Sequence, residues 1–205
     1  MKPNFLVISI ALIGFFSSHA KAENSSGGLF VEPGITYEMG DGTGNYPAPL
    51  SNSTGRIVGL GVGARLGFHL NEAFFLGADV RYAMPNYKDS SVSYDAKTVA
   101  TNWGPVVGMQ MPNFGLRLWG SYILGGEMDP EASGSFDVKF TEATGYRVGG
   151  GLRLAAVSLN LEYQQLKYGK TSLEKVGPFT PGSTLDSVTL EDKAWIASVS
   201  FPMAF

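Results

Sequence analysis

The chain has 205 residues, with 15 lysines and arginines against 18 aspartates and glutamates, and it contains no cysteine. The excess of acidic residues offers no basic stripe for nucleic acid, and the lack of cysteine excludes disulfides and a lipid-modified cysteine. This length fits a single domain.

The first 22 residues have the organisation of a secretory signal peptide. Lys2 precedes an apolar run at residues 5–16, and residues 20–22 read Ala-Lys-Ala, which matches an A-x-A cleavage site. The run is shorter than the ~20 apolar residues that a spanning helix needs, which argues against a transmembrane anchor. We expect cleavage after residue 22. Without Lys2 and Lys21, the mature chain has 13 basic and 18 acidic residues and a net charge near −5.

Eight segments of the mature chain alternate apolar side chains with polar or small ones. They cover residues 28–39, 56–70, 74–84, 99–111, 114–128, 140–154, 157–168 and 195–205. A period of two places the apolar side chains on one face of a strand and the others on the opposite face. In the seventh segment the alternation slips after Gln165, which predicts a β-bulge at that point.

Short and long connections follow each other along this series. The links near residues 71–73, 112–113 and 155–156 are short. The links at about residues 40–55, 85–97, 129–139 and 169–188 are long and rich in Gly, Pro, Ser, Asp and Asn. Transmembrane barrels combine short periplasmic turns with long outer loops. The sequence therefore predicts an all-β fold for residues 23–205: an eight-stranded antiparallel up-and-down transmembrane β-barrel with four long outer loops and both termini periplasmic.

Aromatic side chains on the apolar faces cluster near the predicted outer ends of the strands. They are Tyr37, Tyr82, Trp103, Tyr122, Tyr146, Tyr163 and Trp195. Tyr and Trp suit a membrane interface because one end of each side chain is apolar and the other can hydrogen-bond. A soluble barrel would turn its apolar face inward and would have no reason to carry such a ring there. We expect these residues to form an outer aromatic girdle.

The opposite faces carry charged side chains that would point into the barrel. They are Glu32, Arg65, His69, Asp79, Arg81, Arg117, Glu127, Arg147, Arg153 and Glu162. Eight strands leave an interior only wide enough for side chains, and charges buried there must be paired. We expect a structural polar network that fills the lumen. A narrow or gated pore lined by the same charges is the alternative.

The sequence predicts no catalytic, cofactor or metal site. His69 is the single histidine of the mature chain, and no serine stands in line with it, so we expect no enzyme. The glycine-rich stretches at residues 59–63 and 149–151 lack the strand–turn–helix context of a dinucleotide-binding loop. The acidic residues of the predicted loops lack the ligand spacing of a calcium loop.

The signal peptide, the alternating strands, the aromatic ring and the last strand, which ends on Phe205, resemble the small eight-stranded outer-membrane β-barrel proteins of the OmpA and OmpX type. The resemblance covers the barrel domain only. It implies the outer membrane of a Gram-negative bacterium, with outer-membrane lipid and lipopolysaccharide as surroundings. It also implies that Phe205 belongs to the signal read by the barrel-assembly machinery during biogenesis. We expect a monomer.

The resemblance further implies a structural or surface-interaction role carried by the outer loops, with the binding partner left open. Transport is the alternative function. OmpW-like barrels of similar size pass small hydrophobic molecules through an apolar lumen. The charges expected in the middle of this lumen argue against that alternative.

Overall fold

The structure, a computed structural model, describes residues 27–89, 94–111, 113–132, 136–176 and 182–205. The predicted signal peptide at residues 1–22 lies outside the described residues. Within the described part of the chain, no helix is long and apolar enough to cross a membrane.

The described strands form one antiparallel sheet that closes on itself. Their bounds are β1 Gly28–Asn45, β2 Ser53–His69, β3 Phe74–Asp89, β4 Tyr94–Met111, β5 Leu116–Ile123, β6 Gly125–Pro130, β7 Phe136–Leu154, β8 Val157–Val176, β9 Ser183–Leu185, β10 Thr189–Ser200 and β11 Met203–Ala204. β5 and β6 are consecutive halves of one strand, and β9, β10 and β11 follow one another along the last strand. The ring therefore has eight strand positions.

The barrel closes where β1 pairs with β2 on one side and with β10 on the other. Glu32 lies opposite Arg65 on β2, and Thr36 lies opposite Ser198 on β10. A closed ring lets the backbone N–H and C=O groups of each strand bond to both neighbours, which a chain surrounded by lipid requires. The predicted eight-stranded antiparallel β-barrel is confirmed.

Side chains alternate across this wall as a period of two predicts. Along β2, Val62 and Leu66 are exposed, whereas Arg65 between them is only 4% exposed. Large exposed apolar side chains such as Val80 and Leu161 continue this pattern around the outside. A wall with apolar side chains outside and charges inside is the reverse of a soluble protein, and its outer surface suits lipid.

The strands extend well into the segments predicted as loops. β1 and β2 leave only residues 46–52 of the predicted loop 40–55 outside the sheet. β-structure also covers much of the other three predicted loops, at residues 85–97, 129–139 and 169–188. We call the end of the barrel that carries these four connections the hairpin end, and the opposite end the turn end.

The extra strand length escaped the sequence pattern because the alternation inverts toward the hairpin end. There Ile57 and Leu190 are buried inside the barrel, whereas Asp41 and Arg56 are exposed on its outside. A strand beyond the membrane meets water on its outer face and so follows the rule for a soluble sheet.

The β-bulge predicted after Gln165 is absent, and that prediction is wrong. β8 stays in register through this point, with Gln165 opposite Tyr146 on β7 and Lys193 on β10. Leu166 and Tyr168 are buried, on the same face as the polar residues before them. The apparent slip arose because the interior itself becomes apolar at this height.

We expect the purified protein to migrate on a detergent gel as a compact species when unheated and as a slower species after boiling. The closed hydrogen-bonded ladder should resist detergent until it is heated, because each strand is paired on both sides. The measurement is the mobility shift with temperature. A protein that stayed soluble without detergent and showed no shift would contradict the membrane barrel.

Candidate functional site: a buried ionic network in the lumen

Seven charged side chains inside the barrel form one connected cluster, which we call the ionic network. Six strand segments contribute to it, and each member is at most 7% exposed. The members are Glu32 on β1, Arg65 on β2, Asp79 and Arg81 on β3, Arg117 on β5, Arg147 on β7 and Glu162 on β8.

Glu162 lies at the centre of the ionic network. Its carboxylate accepts hydrogen bonds from Nη2 of Arg65 and Nη2 of Arg81, and it lies 3.7 Å from Nε of Arg147. A Cβ added at Gly149 on β7 would lie 2.6 Å from Cγ of Glu162, so the glycine leaves space for this side chain. One carboxylate thus serves three guanidinium groups where no solvent reaches it.

Glu32 is held by a bidentate pair. Arg117 donates from Nη1 to Oε1 at 2.8 Å and from Nη2 to Oε2 at 2.7 Å. Ser200 donates its hydroxyl to Oε1 at 2.6 Å, and Nη1 of Arg65 lies 3.4 Å from the same oxygen. Parallel charge-assisted hydrogen bonds of this kind are among the strongest in proteins.

Asp79 is the acceptor at the centre of a third group of contacts. Its Oδ2 accepts hydrogen bonds from Nη1 of Arg147 at 2.7 Å and from the hydroxyl of Ser121 at 2.9 Å. Its Oδ1 lies 3.4 Å from Nε of Arg81. Arg81 and Arg147 also reach Glu162, and Arg65 contacts both Glu162 and Glu32. The three groups of contacts therefore form one network rather than separate pairs.

Two apolar layers enclose the ionic network along the barrel axis. Toward the hairpin end lies the outer apolar layer, formed by Ile57, Ala83, Tyr87, Ala100, Ile123, Met128, Ala143, Leu166, Tyr168 and Leu190. Toward the turn end lies the inner apolar layer, formed by Phe30, Phe75, Val106 and Trp119. The guanidinium of Arg65 lies 3.9 Å from the Trp119 ring centroid, a cation–π contact that joins the ionic network to the inner layer.

The enclosure leaves little free space. A cavity within the ionic network, lined by Glu32, Arg65 and Asp79 among others, has a volume of about 20 Å³. That is room for roughly one water molecule. The arrangement can therefore fix the barrel wall from inside, and at this level the described side chains fill most of the lumen.

The seven predicted girdle residues lie on the outer face of the wall, away from the ionic network. Trp103, Tyr122 and Trp195 are each more than half exposed. Tyr122 lies opposite Tyr146, and the rings of Tyr163 and Trp195 are 5.3 Å apart. Tyr37 and Tyr82 are likewise exposed on this face.

The comparisons with known proteins agree on the architecture. No protein-family model matches the chain, and no curated protein matches it. The solid-state NMR structure of outer membrane protein AlkL in DMPC lipid bilayers is 16% identical, covers 92% of this chain and 95% of its own, and has a TM-score of 0.52. The crystal structure of the outer membrane protein OprG from Pseudomonas aeruginosa is 12% identical, covers 87% and 96%, and has a TM-score of 0.51.

The chain has the fold of the small eight-stranded outer-membrane β-barrels. At these identities the likeness establishes the fold alone, so the role of the barrel has to be argued from its own side chains.

Three residues expected in the lumen network lie outside it. His69 and Arg153 are half-buried at the turn end, beyond the inner apolar layer. The imidazole of His69 lies 4.9 Å from the ring of Phe30, and Nε of Arg153 donates to the carbonyl oxygen of Ala155 at 3.2 Å.

Glu127, the third, lies on the outer face of the wall, which corrects its predicted place in the lumen. Four residues of β4, 103–106, lie opposite five residues, 121–125, of the strand formed by β5 and β6. The extra residue reverses which face the following side chains occupy. Glu127 therefore accepts a hydrogen bond from Nζ of Lys139 at 2.9 Å outside the barrel. This bond raises the pKa of Lys139 above its ordinary value.

The set of predicted site residues omitted the neutral side chains that complete the ionic network, and it also omitted the buried acids Glu38 and Asp192. Arg147 donates to the side-chain oxygens of Asn102 and Gln164, each at 2.6 Å, and Nε2 of Gln164 donates to Oδ2 of Asp192 at 2.7 Å. Asp192 precedes the predicted strand 195–205. Extending the alternation of the predicted strand toward the N-terminus puts residues 190, 192 and 194 on its inward face, and this would have identified Asp192.

Glu162→Gln should destabilise the folded barrel by about 3–5 kcal/mol, because it leaves buried guanidinium groups without their shared carboxylate. Urea unfolding from lipid vesicles, followed by tryptophan fluorescence, measures the loss. The matched control is Glu127→Gln, which removes an exposed ion pair and should cost about 1 kcal/mol or less. Equal losses in the two variants would contradict the different placements of these glutamates.

Proposed function

We propose that this chain is an integral outer-membrane β-barrel protein that acts through its hairpin end. Its role is structural or one of surface interaction, and it is neither a pore nor an enzyme. The observation that carries the proposal is the closed lumen, in which the ionic network lies between two apolar layers.

The outer surface supports the membrane location. Apolar side chains such as Leu161 and Val107 cover the wall on the turn side of the aromatic ring, and both are more than half exposed. The expected surroundings are outer-membrane lipid and lipopolysaccharide, reached with the help of the barrel-assembly machinery, and the protein is a monomer. In this proposal both termini are periplasmic and the hairpin end is outside, because an even number of strands puts the two termini at the same end and long connections are typical of the outer side.

The packing of the lumen argues against the pore and the transporter. A path for ions or small molecules would have to pass Glu162 and Arg147, both of which are fully buried. Moving these two side chains aside would break the charge-assisted hydrogen bonds of Glu162 to Arg65 and Arg81 and of Arg147 to Asp79. In a place without water, this is costly for each charge left unpaired. The roughly 20 Å³ cavity is too small to hold a solute.

The surroundings of His69 support a non-enzymatic role. Its imidazole is hydrogen-bonded to Gln110 and contacts the rings of Phe30 and Phe75. Nucleophilic catalysis needs a histidine that is bonded to a hydroxyl or thiol and oriented by a carboxylate. An amide and two aromatic rings do not provide that arrangement.

The hairpin end offers a surface for interaction. The paired strands continue beyond the aromatic ring, so the described residues of this part of the chain form β-sheet. Exposed ion pairs lie on its outside, such as that between Nζ of Lys88 and Oδ2 of Asp95, which are 3.6 Å apart. At the tip of the first hairpin Tyr46 and Leu50 are exposed. A preformed surface loses less conformational freedom on binding than a flexible loop does.

We expect no discrete conductance steps when the purified protein is inserted into planar bilayers, because the ionic network and both apolar layers block the axis. The recording is made at several voltages, with the same detergent without protein as the control. Reproducible unitary currents that appear only with protein would overturn the closed-lumen proposal.

Cysteine labelling should test the orientation, since the native chain contains no cysteine that would react. Leu50→Cys, at the first hairpin tip, should react in intact cells with a membrane-impermeant maleimide. Glu72→Cys, in the β2–β3 turn, should react only after the outer membrane is permeabilised. The reverse pattern would show that the hairpin end faces the periplasm.

A further inference from the structure

The buried interior of the barrel holds one acid more than it holds bases. Among the described residues, every charged side chain that is at most 8% exposed is either an arginine or an acid. The four arginines are Arg65, Arg81, Arg117 and Arg147, and the five acids are Glu32, Glu38, Asp79, Glu162 and Asp192. With all of them ionised, the interior would carry one negative charge in excess, which is costly away from water.

Asp192 balances the charge of the ionic network. The network contains all four buried arginines and three of the acids, so by itself it has one positive charge in excess. Oδ2 of Asp192 accepts a hydrogen bond from Nε2 of Gln164 at 2.7 Å, and Oε1 of Gln164 accepts one from Nη2 of Arg147 at 2.6 Å. Burial raises the pKa of Asp192 above its ordinary value, and the bond from Gln164 and the charge of Arg147 oppose that rise. Gln164 therefore joins the compensating acid to the network.

Glu38 on β1 is the acid that remains, and it is 8% exposed. Its neighbours across the sheet are Gly59 on β2 and Ile196 on β10, and neither offers a charge or a side-chain donor. Within the described residues Glu38 forms no side-chain hydrogen bond or ion pair. Desolvation penalises a charged group that lacks such partners, so these surroundings favour the neutral, protonated carboxyl.

The charged and titratable groups that face Glu38 supply no free positive charge. They are Asp192 on β10, Arg81 on β3, Arg147 on β7 and Tyr168 on β8. Arg81 already binds Asp79 and Glu162. Arg147 binds Asp79 as well. Asp192 would repel a second negative charge, and a neutral phenol adds none of either sign.

A proton suits this place better than a metal ion does. The described part of the chain contains no group of three or more acids, histidines or cysteines that could hold a metal ion. Opposite Asp192, a Cβ added at Gly42 would lie 3.0 Å from Cδ1 of Ile57 and 3.4 Å from Cδ1 of Leu190, so apolar side chains fill the space there. A proton on a carboxyl needs no further ligands and no cavity.

We propose that Glu38 is a proton-binding site and that the buried interior is neutral only while this carboxyl is protonated. Loss of the proton leaves a negative charge without a partner, and the outer apolar layer separates it from water at the hairpin end. The closed barrel is therefore less stable at high pH. The site depends neither on the surface proposed for interaction nor on which end of the barrel faces outside.

The direct test is carbon-13 NMR of the carboxyl groups of the whole barrel in detergent micelles, followed from about pH 4 to about pH 10. The Glu38 resonance is identified by its absence from the spectrum of Glu38→Gln. We expect Glu38 to be protonated at about pH 7, whereas the exposed Glu72 is ionised there, as an ordinary glutamate is. A Glu38 carboxylate that is ionised at about pH 7 would overturn the proposal, and so would protonation of Asp192 in its place.

Urea unfolding from lipid vesicles measures the same proton as a difference in stability. A glutamate in an unfolded chain titrates near about pH 4.3, so between about pH 5 and about pH 7 the folded barrel holds one more proton at this residue. The unfolding equilibrium constant should therefore rise about tenfold more per pH unit in the native chain than in Glu38→Gln.

Glutamine is neutral and similar in size to a protonated glutamate, so Glu38→Gln should fold, and the heat-induced gel shift checks this. The matched control is Glu72→Gln, which removes an exposed acid and should keep the pH dependence of the native chain. If the native chain and Glu38→Gln showed the same pH dependence, Glu38 would not hold the proton and the proposal would fail.

Discussion

The shared carboxylate of Glu162 is the interaction on which the rest of the lumen depends. Arg65, Arg81 and Arg147 reach it from β2, β3 and β7, across most of the width of the barrel. In water such contacts would contribute little, since exposed ion pairs are weak. Between two apolar layers each charge must have its partner, because the cost of leaving one alone exceeds most other single terms in stability. The narrow interior therefore limits where the charged side chains can lie, and the need to pair these charges fixes the strands that carry them.

The same chain follows opposite burial rules along its length. Between the girdle and the turn end, apolar side chains face out and charges face in. Beyond the girdle, residues such as Ile57 and Leu190 form an apolar core, and charges such as Asp41 face water. The wall is continuous through this change because a period of two allows either face to be apolar without altering the ladder. The outer apolar layer is thus the core of an extramembrane β-structure that also seals the ionic network.

Alternation predicted the barrel, and it also placed Glu32, Arg65 and Glu162 inside, because each strand face can be read without knowing the neighbouring strand. The contacts among them could not be read, since they depend on register between strands that lie far apart in sequence. Glu127 was misplaced because one extra residue at 121–125 changes no local pattern while reversing every later side chain. Asp192 was missed because the alternation inverts where the strand leaves the membrane.

The span of the ionic network in sequence has a consequence for how the barrel forms. Ser200 on β10 donates to Glu32 on β1, 168 residues away, and Arg65 on β2 binds Glu162 on β8. An open sheet that lacks β8 would hold Arg65, Arg81 and Arg147 without their shared carboxylate, and one that lacks β10 would leave Glu32 without the Ser200 hydroxyl. Closure of the ring and neutralisation of its interior are then one event, which favours insertion of the whole barrel over stepwise addition of hairpins.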